Sequence, residues 1–299
     1  MLKFNLLNYC YSKTDYLIFF LNMLSLNKAL VKTKFEYDLC DAAFDNLNVK
    51  NRLRFNNFAY SIRELTRHIL YRLAPDVDIK CCSWYKPTKN ENGKVVITRA
   101  DRINYAIYGG FDNNALSAMG LKDDIDKARK NLLSTIDSLS KYTHINEDTF
   151  DVSDSDTERA VNHVVDSFNE FVKCMAIIRR QVISCLEAEI NQEILMATLY
   201  NTYDAIDCMS THSLIENYSI NNISVDNITS TDVVLNIYGS VDVRLQYGSD
   251  GDQRRGDGYI TNVDIPYQAC VSAEIKSSLK KFRLNDDIQF EFDTDTFYE

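Results

Sequence analysis

The chain has no cysteines paired as C-x-x-C, no apolar run long enough to cross a bilayer and no excess of positive charge, and each gap removes a class of protein. Eight cysteines (Cys10, Cys40, Cys81, Cys82, Cys174, Cys185, Cys208, Cys270) in 299 residues lack the density of a secreted disulfide scaffold. They read as reduced, mostly buried thiols of a cytoplasmic protein. The longest apolar run near the N-terminus, Tyr16 to Leu21, is interrupted by Asn22 and falls far below the ~20 residues of a membrane helix. It is not followed by a small-residue cleavage site, so it is not expected to be a leader. A net charge of −10 argues against bulk affinity for nucleic acid.

The distribution of charge says something different. Lys50 to Arg102 holds twelve basic residues against five acidic ones, a local excess of seven positive charges in an anionic chain. Clustered positive charge suits a phosphate backbone. Phe55, Tyr60, Trp84, Tyr85, Tyr105 and Tyr108 are interleaved with it, a composition that suits stacking on single-stranded bases. Arg67, Arg72, Lys80, Lys86, Arg99 and Arg102 are the expected nucleic-acid contacts. The competing expectation is that this basic segment docks within the molecule on the acidic helices that follow.

Phe58, Ile62, Leu65, Ile69 and Leu73 fall within an arc of roughly 80° on a helix, so FAYSIRELTRHILYRLAP predicts a helix with one core face, stopped by Pro75. Helices are expected around Leu26–Cys40 and Ala42–Leu47. A turn is expected over Lys89–Lys94, and a helix capped by Thr98 and Asp101 ends at Gly109-Gly110. Another helix spans about Asp123–Leu139. With neither Pro nor Gly between Arg159 and Asp207, the apolar stripe from Val161 through Val165, Phe168, Ile178 and Val182 predicts one helix of about 50 residues, or two, packed antiparallel on Phe58–Leu73. Beyond His212 the period drops to two. Val233, Leu235, Ile237, then Val241, Val243, Leu245, then Tyr267, Ala269, Val271, Ala273 predict an antiparallel meander of five or six strands. The fold class is therefore α+β: an N-terminal helical bundle followed by a C-terminal β-meander. The division expected is an N-terminal extension over 1–35, a helical domain with the basic island over 36–212 and a β domain over 213–299.

For chemistry, the Arg63 to His68 spacing resembles that of HEPN-type ribonucleases. The resemblance implies that Arg63 holds a phosphate and His68 handles a ribose proton without metal. His144, with Lys141 and Glu147, joins them only if the helices fold back. A second site combines Asp264 with Glu274 and Lys276, an acid, acid, lysine set of the kind that binds magnesium in restriction-type nucleases. The same residues also continue the polar face of a strand. Asp250, Asp252 and Asp257 in GSDGDQRRGDG are oxygen ligands in type, although Arg254 opposes a cation there and a salt-bridged hairpin tip accounts for them.

FAYSIRELTRHILYRLAP, CCSWYKP, TRADRINYAIYGG, KYTHINEDTF and LQYGSDGDQRRGDG together resemble bacterial defence proteins grouped as predicted nucleases that associate with prokaryotic PIWI proteins. The resemblance implies a cytoplasmic antiviral effector, predicted to cut nucleic acid. No cofactor is expected, except magnesium if the second site is real. Expected partners are RNA or single-stranded DNA, other proteins of a defence system and a second copy of the chain, with no membrane among them. A non-enzymatic adaptor is the alternative.

Overall fold

The structure, a computed structural model, describes residues 30–275 and 288–297. Most of the expected 1–35 extension and Lys276 thus lie outside the described residues. The elements are α1 (Lys34–Asn48), α2 (Arg54–Leu73), α3 (Asp76–Cys81), β1 (Thr88–Lys89), β2 (Val95–Val96), α4 (Arg99–Tyr108), α5 (Asn113–Ala118), α6 (Lys122–Tyr142) and α7 (Asp154–Tyr200). They continue with α8 (Asp204–Asp207), β3 (His212–Ile228), β4 (Asp232–Tyr247), α9 (Asp250–Arg255), β5 (Tyr259–Glu274), β6 (Gln289–Phe292) and a closing 3-10 turn (Asp295–Phe297). Helices come first and an antiparallel sheet follows, so the chain is α+β. Two compact units interleave along it. The first takes the chain up to Pro75, Ile97–Ile107 and Asp123–Met175, and the second takes Asp76–Val96, Tyr108–Lys122 and the chain from Ala176. The change at 212–213 is one of secondary structure within the second unit.

In the first unit, Thr33 decides where α1 begins. Its hydroxyl accepts from the Glu36 amide, and its own amide donates to the Glu36 carboxylate, a reciprocal box that satisfies two free donors. Nothing between Cys40 and Ala42 breaks the helix, so one helix replaces the two expected, and residues 30–33 are not helical. Phe44 meets Phe58 edge to face, with ring centroids 5.5 Å apart, and seats α1 on α2. Phe58, Ile62, Leu65 and Ile69 of α2 are buried as their spacing predicts, and Pro75 follows the last turn.

The partner of α7 is a correction. Asn131 donates to Glu170, Thr135 bonds His163 and Ser167, and Cys174 reaches the Asp124 carbonyl, so α6 lies antiparallel along the first half of α7. Against α2, by contrast, the first turns meet through Arg54 and Asp154. Start-to-start pairing rules out the antiparallel α2–α7 packing expected from the stripe alone.

In the second unit the sheet order is β3-β4-β5-β6, antiparallel throughout. This sheet has four strands among the described residues, and β4 runs straight through Gly239. A Cβ at Gly239 would lie 2.6 Å from the Tyr267 ring and 2.0 Å from the Ser219 carbonyl oxygen, so this glycine marks a close approach. The Tyr267 hydroxyl donates to that same carbonyl at 3.1 Å. Three register shifts break up the edge strand β3. The tip between β4 and β5 folds into the one-turn helix α9, which is capped by Ser249 and closed by Gly256 at φ 84°. There Arg255 pairs with Asp252 and Asp257, the salt-bridged tip expected.

Candidate nucleic-acid interface

On the side of α2 away from its core lie Tyr60, Arg63, Glu64, Arg67, His68 and Tyr71, an arc of about 140° at the helical pitch. Tyr60 and Tyr71 are more than half exposed. The Glu64 carboxylate accepts from Arg67 Nε at 2.9 Å and from Arg63 at 3.3 Å, which strings the three along the helix. The hydrogen bond from Arg67 outweighs partial burial and, helped by Arg63, holds the Glu64 carboxyl below the usual carboxylate range. Arg63 stands 5.8 Å from the Tyr60 ring centroid and Arg67 5.9 Å from that of Tyr71. Cation and ring therefore alternate along one face.

His68 closes this face. Its ring stands edge-on to Phe35 of α1, centroids 4.9 Å apart, and Arg67 Nη2 lies 3.1 Å from Nε2. A guanidinium only donates, so Nε2 must accept, and its lone pair is engaged. Arg63 also donates to Thr143 Oγ1 at 3.2 Å. The chain thus folds back beside Arg63, but through Thr143 and not through the exposed His144, whose carbonyl accepts from Thr149.

The other expected contacts divide. Arg72 donates to Glu36 at 2.8 Å and to the Leu30 carbonyl, and the Glu36 side chain is only 3% exposed. Burial raises the Glu36 carboxyl, but bonds from Arg72, Lys32 and Thr33 more than offset this and hold it low. Arg102 is buried at 4% exposure, donates to the Ala74 carbonyl at 2.6 Å and lies 3.6 Å over the Tyr71 ring. These two arginines hold the fold, which corrects their assignment as nucleic-acid contacts. Arg99 pairs with Asp137 at 3.2 Å, Arg52 with Asp151 at 2.8 Å, and Arg54 with Asp154. Part of the basic island does dock on the acidic segments that follow it. Lys80 and Lys86 are exposed and belong to the second unit.

The magnesium alternative is also corrected. Asp264 and Glu274 sit on the single strand β5, ten residues apart, which at about 3.3 Å per residue puts them roughly 33 Å from each other. One ion cannot bridge that distance. Among the described residues, no three His, Cys, Asp or Glu side chains group to hold a metal ion. The seven described cysteines are all free. Burial above all pushes the Cys40 and Cys82 thiols up to about 12, far from a nucleophile's range.

Two hollows lie in the first unit. One of about 860 Å³ runs beside α6, lined by Ala100, Arg129, Lys130, Asp137 and Lys141 among others. The other, of about 570 Å³, is walled by Phe55, Tyr142, Phe150, Asp151, Arg159 and His163 among others. Neither includes Arg63, His68 or His144 in its lining. Sequence reasoning missed Phe35, Tyr71, His163 and Thr135. Tyr71, eleven residues after Tyr60, was recoverable from helical pitch. Thr135, a polar residue on the apolar side of α6, was the signal for His163.

Along the chain, helices that include the arginine- and tyrosine-rich face of α2 in the first unit are followed by the long-stranded antiparallel sheet. Residues 27–168 match a family model described as predicted pPIWI-associating nuclease, and residues 175–298 match a second model of the same description. The chain belongs to this family of predicted nucleases. Neither description names a HEPN ribonuclease, so the Arg63–His68 spacing has no family support. No curated protein and no solved structure matches the chain. Among the described residues, no helix is long and apolar enough to cross a membrane.

Proposed function

We propose that this protein is a cytoplasmic nuclease-like effector of an antiviral defence system that holds RNA or single-stranded DNA along the outer face of α2. The observation that carries the reading is the alternation of exposed Tyr60 and Tyr71 with Arg63 and Arg67. Rings offer stacking platforms to any base, and guanidinium groups offer paired donors to phosphate. Glu64 does not block this role. Its links to the two arginines are partly exposed ion pairs, and a phosphate can compete for both guanidinium groups. His68, with its Nε2 engaged by Arg67, serves binding on this face and not proton transfer.

A second reading, a non-enzymatic adaptor, draws support from Phe35, Tyr60 and Tyr71, whose exposed rings would suit a protein partner equally well. Salt separates the two. Affinity for labelled single-stranded RNA should fall steeply with ionic strength, by about 0.7 in the logarithmic slope for each phosphate neutralised. Arg63→Ala combined with Arg67→Ala should lower that slope by about 1.4 and weaken binding. A slope unchanged by the double substitution would remove the nucleic acid from this face and favour the adaptor.

A further inference from the structure

The 570 Å³ hollow contains a histidine whose proton can be placed by counting donors. Ser167 Oγ lies 2.8 Å from the His163 carbonyl, which can only accept, so the single Ser167 proton is committed there. Thr135 Oγ1 lies 2.7 Å from Ser167 Oγ and must give its own proton to that contact. Thr135 Oγ1 is also 3.1 Å from His163 Nδ1, and with its proton already used it can only accept. His163 therefore carries its hydrogen on Nδ1 and keeps a lone pair on Nε2. Thr135 and Ser167 are both buried, at 0% and 3% exposure, which fixes the ring from behind, while His163 itself is exposed.

Four residues before His163 on α7, and so on the same side of the helix, Arg159 lines the same hollow. Its pair with Asp156, 3.2 Å long, is loose because both side chains are more than half exposed, so the guanidinium is free to exchange partners. Asp148, Asp151 and Asp156 are the acids of the lining. Arg52 already neutralises Asp151 at 2.8 Å, and Ser153 donates to Asp156 at 2.7 Å. Tyr142 and Phe150 supply ring surface, with Arg52 4.3 Å from the Phe150 centroid. The loop that leaves Thr143, where Arg63 is bound, leads directly to Asp148–Ser153 in the wall.

We propose that His163, oriented by Thr135 and Ser167, is the general base of an RNA-cleaving site in this hollow, with Arg159 as its phosphate anchor; this rests on the nuclease reading above. Nε2 takes the proton of a ribose 2′-hydroxyl while the 2′ oxygen bonds to phosphorus and the bond from phosphorus to the 5′ oxygen breaks. The departing 5′ oxygen takes a proton from water, and the imidazolium returns its proton to the hydroxide left behind. The products are a 2′,3′-cyclic phosphate and a 5′-hydroxyl. DNA has no 2′-hydroxyl and is bound but not cut.

The test uses the full chain with an end-labelled, mixed-sequence single-stranded RNA and the DNA of the same sequence. The intact protein should leave cyclic phosphate ends on RNA only, and His163→Ala should slow cleavage about a hundredfold or more while binding to the α2 face persists. Nitrogen-15 NMR should find the His163 hydrogen on Nδ1. Thr135→Val should move it toward Nε2 and slow cleavage, and Thr135→Ser should restore both. Cleavage unchanged in His163→Ala, equal cutting of DNA, or a hydrogen resident on Nε2 would each overturn the His163 assignment and leave the nuclease reading standing. Binding without any cleavage by the intact protein would overturn both.

Discussion

Arg72 and Arg102 differ from Arg63 and Arg67 in nothing that a charge count records, yet they do opposite things. The first pair points into the protein, to the buried Glu36 and to the Ala74 carbonyl. The second pair looks out from the far side of α2, where the only carboxylate it pairs with is Glu64. What separates them is burial: Glu36, taken out of water, demands a permanent counterion and Arg102 is itself buried, whereas the partly exposed Glu64 can trade its partners. A local surplus of arginine therefore measures both fold and function, and only burial apportions it.

Breaking the inward pair should have the larger effect. Glu36→Ala leaves Arg72 without its buried partner and removes half of the α1 capping box, so it should cost about 3–5 kcal/mol in a denaturant titration. A loss under about 1 kcal/mol would place Arg72 with the exchangeable arginines. Acid should sharpen the contrast more gently. Glu36 and Glu64 both have folded-state carboxyls held below their ordinary range, so their stabilisation is complete above the unfolded value of about 4.3 and disappears as pH falls through the lowered folded value. The thermal midpoint should hold from about pH 7 to 5 and drop below about pH 4. Glu64→Gln should remove a small part of that drop, because its pair lies nearer water; a drop unaltered by Glu64→Gln would show that the outer string contributes nothing to the fold.

The two histidines repeat the lesson. His68 stands in the more suggestive sequence, five residues after an arginine, and that context disables it, because Arg67 occupies Nε2. His163 lies in an undistinguished helical stripe, and two buried hydroxyls leave its Nε2 open.

Periodicity carried most of the fold. The core face of α2, the Thr98 cap, the turn within Lys89–Lys94, the long helical stripe of α7 and the alternation of β4 and β5 all follow from local rules, and local rules sufficed there. Helix partners did not follow, because the stripe on α7 is equally satisfied by any apolar surface, and α6 is preferred through polar pairs such as Asn131–Glu170. Gly239, which separates two alternating runs in the sequence, does not end the strand, because β4 continues through it in close contact with the Tyr267 ring. At the site, Arg63 and Arg67 were legible as a basic face. The fates of Arg72 and Arg102 were not, since each depends on a partner 36 or 28 residues away.

A nucleic-acid strand bound as proposed touches the outer face of α2. Single-stranded RNA carrying 4-thiouridine, cross-linked by light and followed by peptide mass spectrometry, should mark Tyr60 or Tyr71 on the peptide spanning α2. Cross-links confined to the strands β3–β6, with the α2 peptide unmodified, would contradict it.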